Sequence, residues 1–274
     1  FEILLRNLHG LQDTLKGDYI TLEILATKGS IAFYASVPGN LTSLLEKQIT
    51  AQYPEASVEE VEDPNIFPEH CATAAVQLTL KKQFVYPIRT YKNFESDTLN
   101  SLTNVLSKLN ETTERAGVQI CLRPAGDDWQ KQGQRIARAM KTGKFSDDSL
   151  AKGVLKGLGG ILTSSSSKDD SSKNKIPEPL TAAQEKIIDI IGEKATKPGF
   201  EVVVRLVTAA PTSEEAKINL NNILSSFSQY TSDLNRFTID KLPEAKVLTQ
   251  FIFRLFSLGH PDILNTEEVA SLWH

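Results

Sequence analysis

A strand that runs straight into a capped helix, Pro198 to Tyr230, constrains this chain more than any other stretch. Val202, Val204 and Leu206 share one side of the strand, while Glu201, Val203, Arg205 and Val207 share the other, because side chains alternate along a strand. One face is wholly apolar, and the charges at Glu201 and Arg205 predict that the other is only partly covered. Thr212 or Ser213 supplies an N-cap, with Glu214 and Glu215 in the first turn, where carboxylates meet the positive end of the helix dipole. Ala216, Leu220, Ile223, Leu224 and Phe227 follow at helical spacing. Residues 235 to 240 predict a returning strand, which completes a βαβ unit.

Similar units precede it. Residues 1 to 15 have the spacing of an amphipathic helix, and 19 to 25 with 31 to 36 predict a hairpin around Thr27-Lys28-Gly29-Ser30. A helix is expected over 38 to 52, strands over 56 to 61 and 74 to 85, a helix over 97 to 114 and a strand over 117 to 122. Further on, a helix starts at Leu180-Thr181, a strand is expected over 249 to 256, and Asn265-Thr266-Glu267-Glu268 caps a short terminal helix. The pattern predicts an α+β fold of ferredoxin-like (split βαβ) modules, two in number, with antiparallel or mixed sheets and helices packed on one face. The expected division is a first module over 1–125, a basic amphipathic helical region over 126–162, a disordered Ser/Lys/Asp linker over 163–178 and a second module over 179–274.

Charge is unevenly spread. The net formal charge of −4 argues against a chain-wide nucleic-acid footprint, yet 127–175 holds ten Lys/Arg against six Asp/Glu. Its helix, 127 to 141, sets Trp129, Gly133, Ile136 and Met140 on one side and Lys131, Arg135, Arg138 and Lys141 on another. Those four cations could meet phosphates, an anionic lipid or an acidic partner, although a solvated face is the simpler reading. Only Cys71 and Cys121 are present, at a spacing that suggests no disulfide framework. No apolar run approaches the roughly 20 residues that span a bilayer, and no signal peptide is evident. The start at Phe1 and the stop at His274 predict a piece of something longer.

Catalytic chemistry leaves little trace. Thr142-Gly143-Lys144-Phe145-Ser146 lacks the upstream glycine and adjacent hydroxyl of a phosphate loop, and Gly157-Leu158-Gly159-Gly160 lacks the lysine. His9, His70, His260 and His274 are scattered, so no metal site or cofactor is expected. Cys121 lies in an apolar strand and is read as a small core residue.

Several phrases carry a resemblance. They are Gly17-Asp18-Tyr19-Ile20-Thr21-Leu22-Glu23, Gln52-Tyr53-Pro54-Glu55-Ala56, Tyr86-Pro87-Ile88-Arg89-Thr90-Tyr91, Gln119 to Ala125 with Trp129, Lys197-Pro198-Gly199-Phe200, and Asn265 to His274. In this order the chain resembles the domain that precedes the ATPase domain in bacterial HerA/TraG-like conjugation and type IV secretion proteins. The resemblance implies a non-catalytic accessory or assembly domain without its own phosphate loop, in a polypeptide whose later part is an ATPase. It implies as partners that downstream domain and other secretion-machinery subunits, with DNA possible but not favoured. It implies a cytoplasmic place at the inner face of the bacterial membrane, with membrane contact made mainly by upstream segments. Taken alone, this piece is expected to be monomeric or weakly associated.

Overall fold

The computed structural model describes residues 1–10, 17–95, 97–142, 180–256 and 261–273. Seven strands form one sheet: β1 (Ile20–Thr27), β2 (Ser30–Ser36), β3 (Ala72–Leu80), β4 (Arg115–Pro124), β5 (Gly199–Ala210), β6 (Phe237–Ile239) and β7 (Asp262–Asn265). Their order is β2-β1-β4-β5-β3-β6, with β7 also paired to β5, and every pairing is antiparallel. The long β5 is the axis of the sheet. One of its edges lies along β4, and the other is shared end to end by β7, opposite residues 199 to 202, and β3, opposite 204 to 210.

The helices among the described residues are α1 (Glu2–His9), α2 (Thr42–Gln52), α3 (Leu99–Leu106), α4 (Asp128–Lys141), α5 (Ala182–Lys194), α6 (Ser213–Ser226), α7 (Glu244–Ile252) and α8 (Thr266–Trp273). α6 begins where the sequence placed it. Thr212 caps it, and Glu215 returns the bond in a reciprocal capping box. Because β3 and β4 both run against β5, they are parallel to each other with β5 between them, and α3 lies in the crossover. β5 and β6 are related in the same way across β3, with α6 in the crossover.

The apolar side chains of one face, Leu22, Ile24, Val118, Ile120, Val204, Leu206 and Leu78 among them, build the main core with α1, α3, α6 and α8. The other face is also covered. There α7 lays Val247 and Phe251 over Leu25, Ala75 and Val207. A third cluster joins Ala137 and Met140 of α4 to Ile188 and Ile191 of α5. No helix among the described residues is long and apolar enough to cross a membrane.

Several expectations are corrected. Strands from before residue 125 and after residue 179 interleave in one sheet, so the expected two sheeted modules give way to a single one; β4 finds its partner in β5, beyond the linker. Helices pack on both faces rather than one. Residues 249 to 252, read as strand, belong to helix α7: Val247 and Phe251 at i, i+4 face the core, and Pro243 and Glu244 suit a helix start. Residues 56 to 61 form no strand and are exposed. The helix expected over 97–114 ends at Leu106. The expected 146–162 helix and 163–178 linker lie outside the described residues.

Candidate functional site

Two places bring charged groups together, and they differ in whether the charge is spent. The first is the start of α8. Asn265 Oδ1 accepts from the Glu268 amide at 2.9 Å, and Glu268 Oε2 accepts from the Asn265 amide at 2.9 Å, a reciprocal cap built from the Asn-Thr-Glu-Glu phrase. This helix is buried from Thr266 to Leu272. Such burial demands that each polar group be satisfied, and the neighbours satisfy them. Lys194, at the C-terminal end of α5, places its ammonium 2.9 Å from Glu268 Oε2 and 3.1 Å from Oε1, with side-chain exposures of 2% and 1%. The Ile88 amide donates to the same carboxylate at 2.9 Å. Glu267 accepts from Thr90 Oγ1 at 2.6 Å, from Lys92 at 2.7 Å and from Lys197. Ser271 Oγ accepts from the Tyr91 amide, and Thr98 Oγ1 donates to the Ser271 carbonyl. Glu2 of α1 accepts from Tyr91 Oη at 2.9 Å and from Thr266 Oγ1 at 3.3 Å.

The electrostatics follow from this packing. Burial pushes the Lys194 ammonium below its ordinary value, and Glu268 offsets part of that. Burial pushes the Glu267 carboxyl up, but Lys197, Lys92 and Thr90 together outweigh it and hold the group below the usual range. Burial raises Asp262, which accepts from the Leu80 amide at the junction of β3 and β7. Lys194 and Glu267 tie α8 to α5 and to Thr90 and Lys92, Glu2 ties it to α1, and Asp262 ties β7 to β3.

A polar row crosses the second sheet face in the same spirit. Glu23, Gln119, Arg205 and Gln77 are cross-strand neighbours on β1, β4, β5 and β3. Gln119 donates to Glu23 at 2.7 Å, Arg205 donates to Gln119 at 2.7 Å and to Gln77 at 3.3 Å, and Gln77 donates to Asp240 at 3.1 Å. Arg205 Nη2 also donates to the Leu255 carbonyl at 2.6 Å, and Gln119 to the Phe251 carbonyl at 2.9 Å. The end of α7, rich in unpaired carbonyls and negative in its dipole, thus sits on the buried guanidinium. Arg205 is wholly buried, against the expectation of a partly covered face.

The second place is α4. Lys131, Arg135, Arg138 and Lys141 are all exposed, while Trp129, Gly133, Ala137 and Met140 are buried beneath. Lys131 pairs with Asp128 at 3.1 Å; the other three make no ion pair among the described residues. The structure therefore leaves the four predicted cations together on one solvent face. Trp129 anchors the helix by lying against Gly199, where an added Cβ would fall 2.4 Å from the ring. No group of three or more His, Cys, Asp or Glu that could hold a metal occurs among the described residues.

Sequence reasoning missed Lys194, Lys197 and Arg205. Signals existed: Lys194 continues the Ile188–Ile191 stripe by three residues, and Arg205 interrupts a long apolar strand, where a cation must be given partners.

Residues 3–274 match the model of a family described as Domain of unknown function (DUF8128). No curated protein matches the chain.

Proposed function

The chain belongs to the DUF8128 family, and from that premise we propose that it is a non-catalytic assembly domain of a membrane-associated HerA/TraG-like translocation ATPase. The observation that carries the reading is the anchoring of α8. Its charges are consumed by Lys194, Lys197, Lys92 and backbone amides, so they hold an element in place and do not face a substrate. A motor segment continuing from such a helix would move as one body with the sheet, which suits a part that passes force between subunits. The β3-α3-β4-β5-α6-β6 succession, with its two crossovers, supports kinship with a ferredoxin-like module, here widened by β1 and β2. The partners of this reading are the downstream ATPase domain and other secretion-machinery subunits, at the cytoplasmic face of the membrane. Its test is a calorimetric titration of the purified chain with ATP, together with co-elution against the ATPase segment. No heat and stable co-elution support it; saturable nucleotide binding or turnover by this chain refutes it.

The exposed cations of α4 favour a second reading, a nucleic-acid-binding module. Filter binding with single- and double-stranded DNA at two salt concentrations separates the two. Tight, salt-steep binding lost on charge reversal of Arg135 and Arg138 selects the second.

A further inference from the structure

The two ends of the sheet are unlike. β6 is three residues long and flanked by Arg236, Asp240 and Lys241, and brevity and charge are ordinary guards against stray strand pairing. β2 has neither guard. Its seven residues, Ser-Ile-Ala-Phe-Tyr-Ala-Ser, include no charge and no proline, and all are exposed or half-buried.

Register decides which of its backbone groups are free. The two-residue turn at Lys28 and Gly29, with φ of 48° and 77°, makes Thr27 and Ser30 a hydrogen-bonded pair. Residues 30, 32, 34 and 36 therefore bond toward β1, and Ile31, Phe33 and Ala35 aim their N–H and C=O groups outward. None of those outward groups has a backbone partner among the described residues.

The strand is also self-complementary in size about its central Phe33. We propose that β2 is a self-association edge: two copies of this chain pair antiparallel about Phe33, joining their sheets across a two-fold axis. In that register Ser30 meets Ser36 of the second copy, Ile31 meets Ala35, Ala32 meets Tyr34 and Phe33 meets itself. Each flanking bulky side chain faces a small one, and the central pair is aromatic on aromatic. The pairs 31–35, 33–33 and 35–31 use the outward backbone groups, and the uncharged strand brings no like charges together. Such a contact is isologous and closes at two copies. Phe33 is 51% exposed, and its ring is already held edge-on against Trp273 at 5.5 Å, so little ordering remains to be done. A single strand buries little area, which places the pairing among weak interfaces. The inference rests on the strand itself and not on the docking role proposed above.

Sedimentation equilibrium of the whole chain from about 1 µM to about 1 mM reads it out. The expected result is a monomer–dimer equilibrium within that range. Phe33→Lys and Phe33→Glu, which set like charges face to face, each weaken it at least about tenfold, and an equimolar mixture of the two restores a dimer. Should either lose its fold with the Trp273 contact, Ala35→Pro serves instead, removing an outward N–H that β1 does not use. A monomer at every concentration, a dimer indifferent to these substitutions, or an edge that accepts only an unrelated extended peptide overturns the proposal. A monomer that still co-elutes with the ATPase segment sinks the pairing and leaves the docking role standing.

Discussion

Removing the Glu268 carboxylate should cost more stability than any other single change at the α8 anchor. Glu268→Ala strands the Lys194 ammonium at 2% side-chain exposure and strips the acceptor from the Ile88 and Asn265 amides. Breaking a buried ion pair from one side costs about 3–5 kcal/mol. Each orphaned buried amide adds about 1–3 kcal/mol, although these contributions overlap. A loss near 5 kcal/mol is expected, a large part of the roughly 5–15 kcal/mol that holds a domain folded. Lys194→Met leaves both amides served and should fall at the low end, about 3 kcal/mol. The double variant Lys194→Met/Glu268→Gln removes both charges while keeping an acceptor, and should cost clearly less than the sum of Lys194→Met and Glu268→Gln. Urea unfolding followed by circular dichroism and tryptophan emission measures all four. A loss below about 1 kcal/mol for Glu268→Ala, or additivity within the cycle, would refute the reasoning.

The other predictions can be put briefly. Arg205→Met should cost about 2–4 kcal/mol by urea unfolding, and Arg205→Lys should rescue little, since Gln77, Gln119 and Leu255 are bonded by three separate guanidinium nitrogens and an ammonium gathers its donors on one atom. Gly199→Ala drives a Cβ into the Trp129 ring and should cost at least about 1–3 kcal/mol while shifting tryptophan emission as α4 loosens. Glu267 is held below its ordinary carboxyl value of 4.5, so its contribution is present above that pH and lost as pH falls through the lowered folded value. Glu267→Gln should therefore flatten the acid limb of the stability profile, and an unchanged limb would count against the ion-pair cluster.

Local structure was more legible than assembly. The 20–36 hairpin, β4, β5, α4, α6 and the cap of α8 follow from alternation, turn residues and capping chemistry written within a few residues of each other. The pairing of β4 with β5 was not, because it joins segments separated by some seventy-five residues and nothing local marks it. Phe251, Ile252 and Phe253 read as strand through their aromatic and branched side chains, yet Pro243, Val247 and packing on Leu25 and Val207 decide for a helix. The cations of α4 were visible because an exposed face shows itself in the sequence. Lys194 and Arg205 were not, because whether a cation is buried depends on which carboxylates and carbonyls the fold brings to it.

Native-state hydrogen exchange of the α8 amides addresses the central claim most directly. If the Asn265–Glu268 cap and the lysines around it fix this helix to the sheet, residues from Val269 to Leu272 exchange only through global unfolding, as slowly as Val204 and Leu206 at the centre of β5. Exchange of α8 at a much lower free energy than β5 would mean a helix that detaches on its own, contradicting the rigid anchor from which the proposed function is drawn.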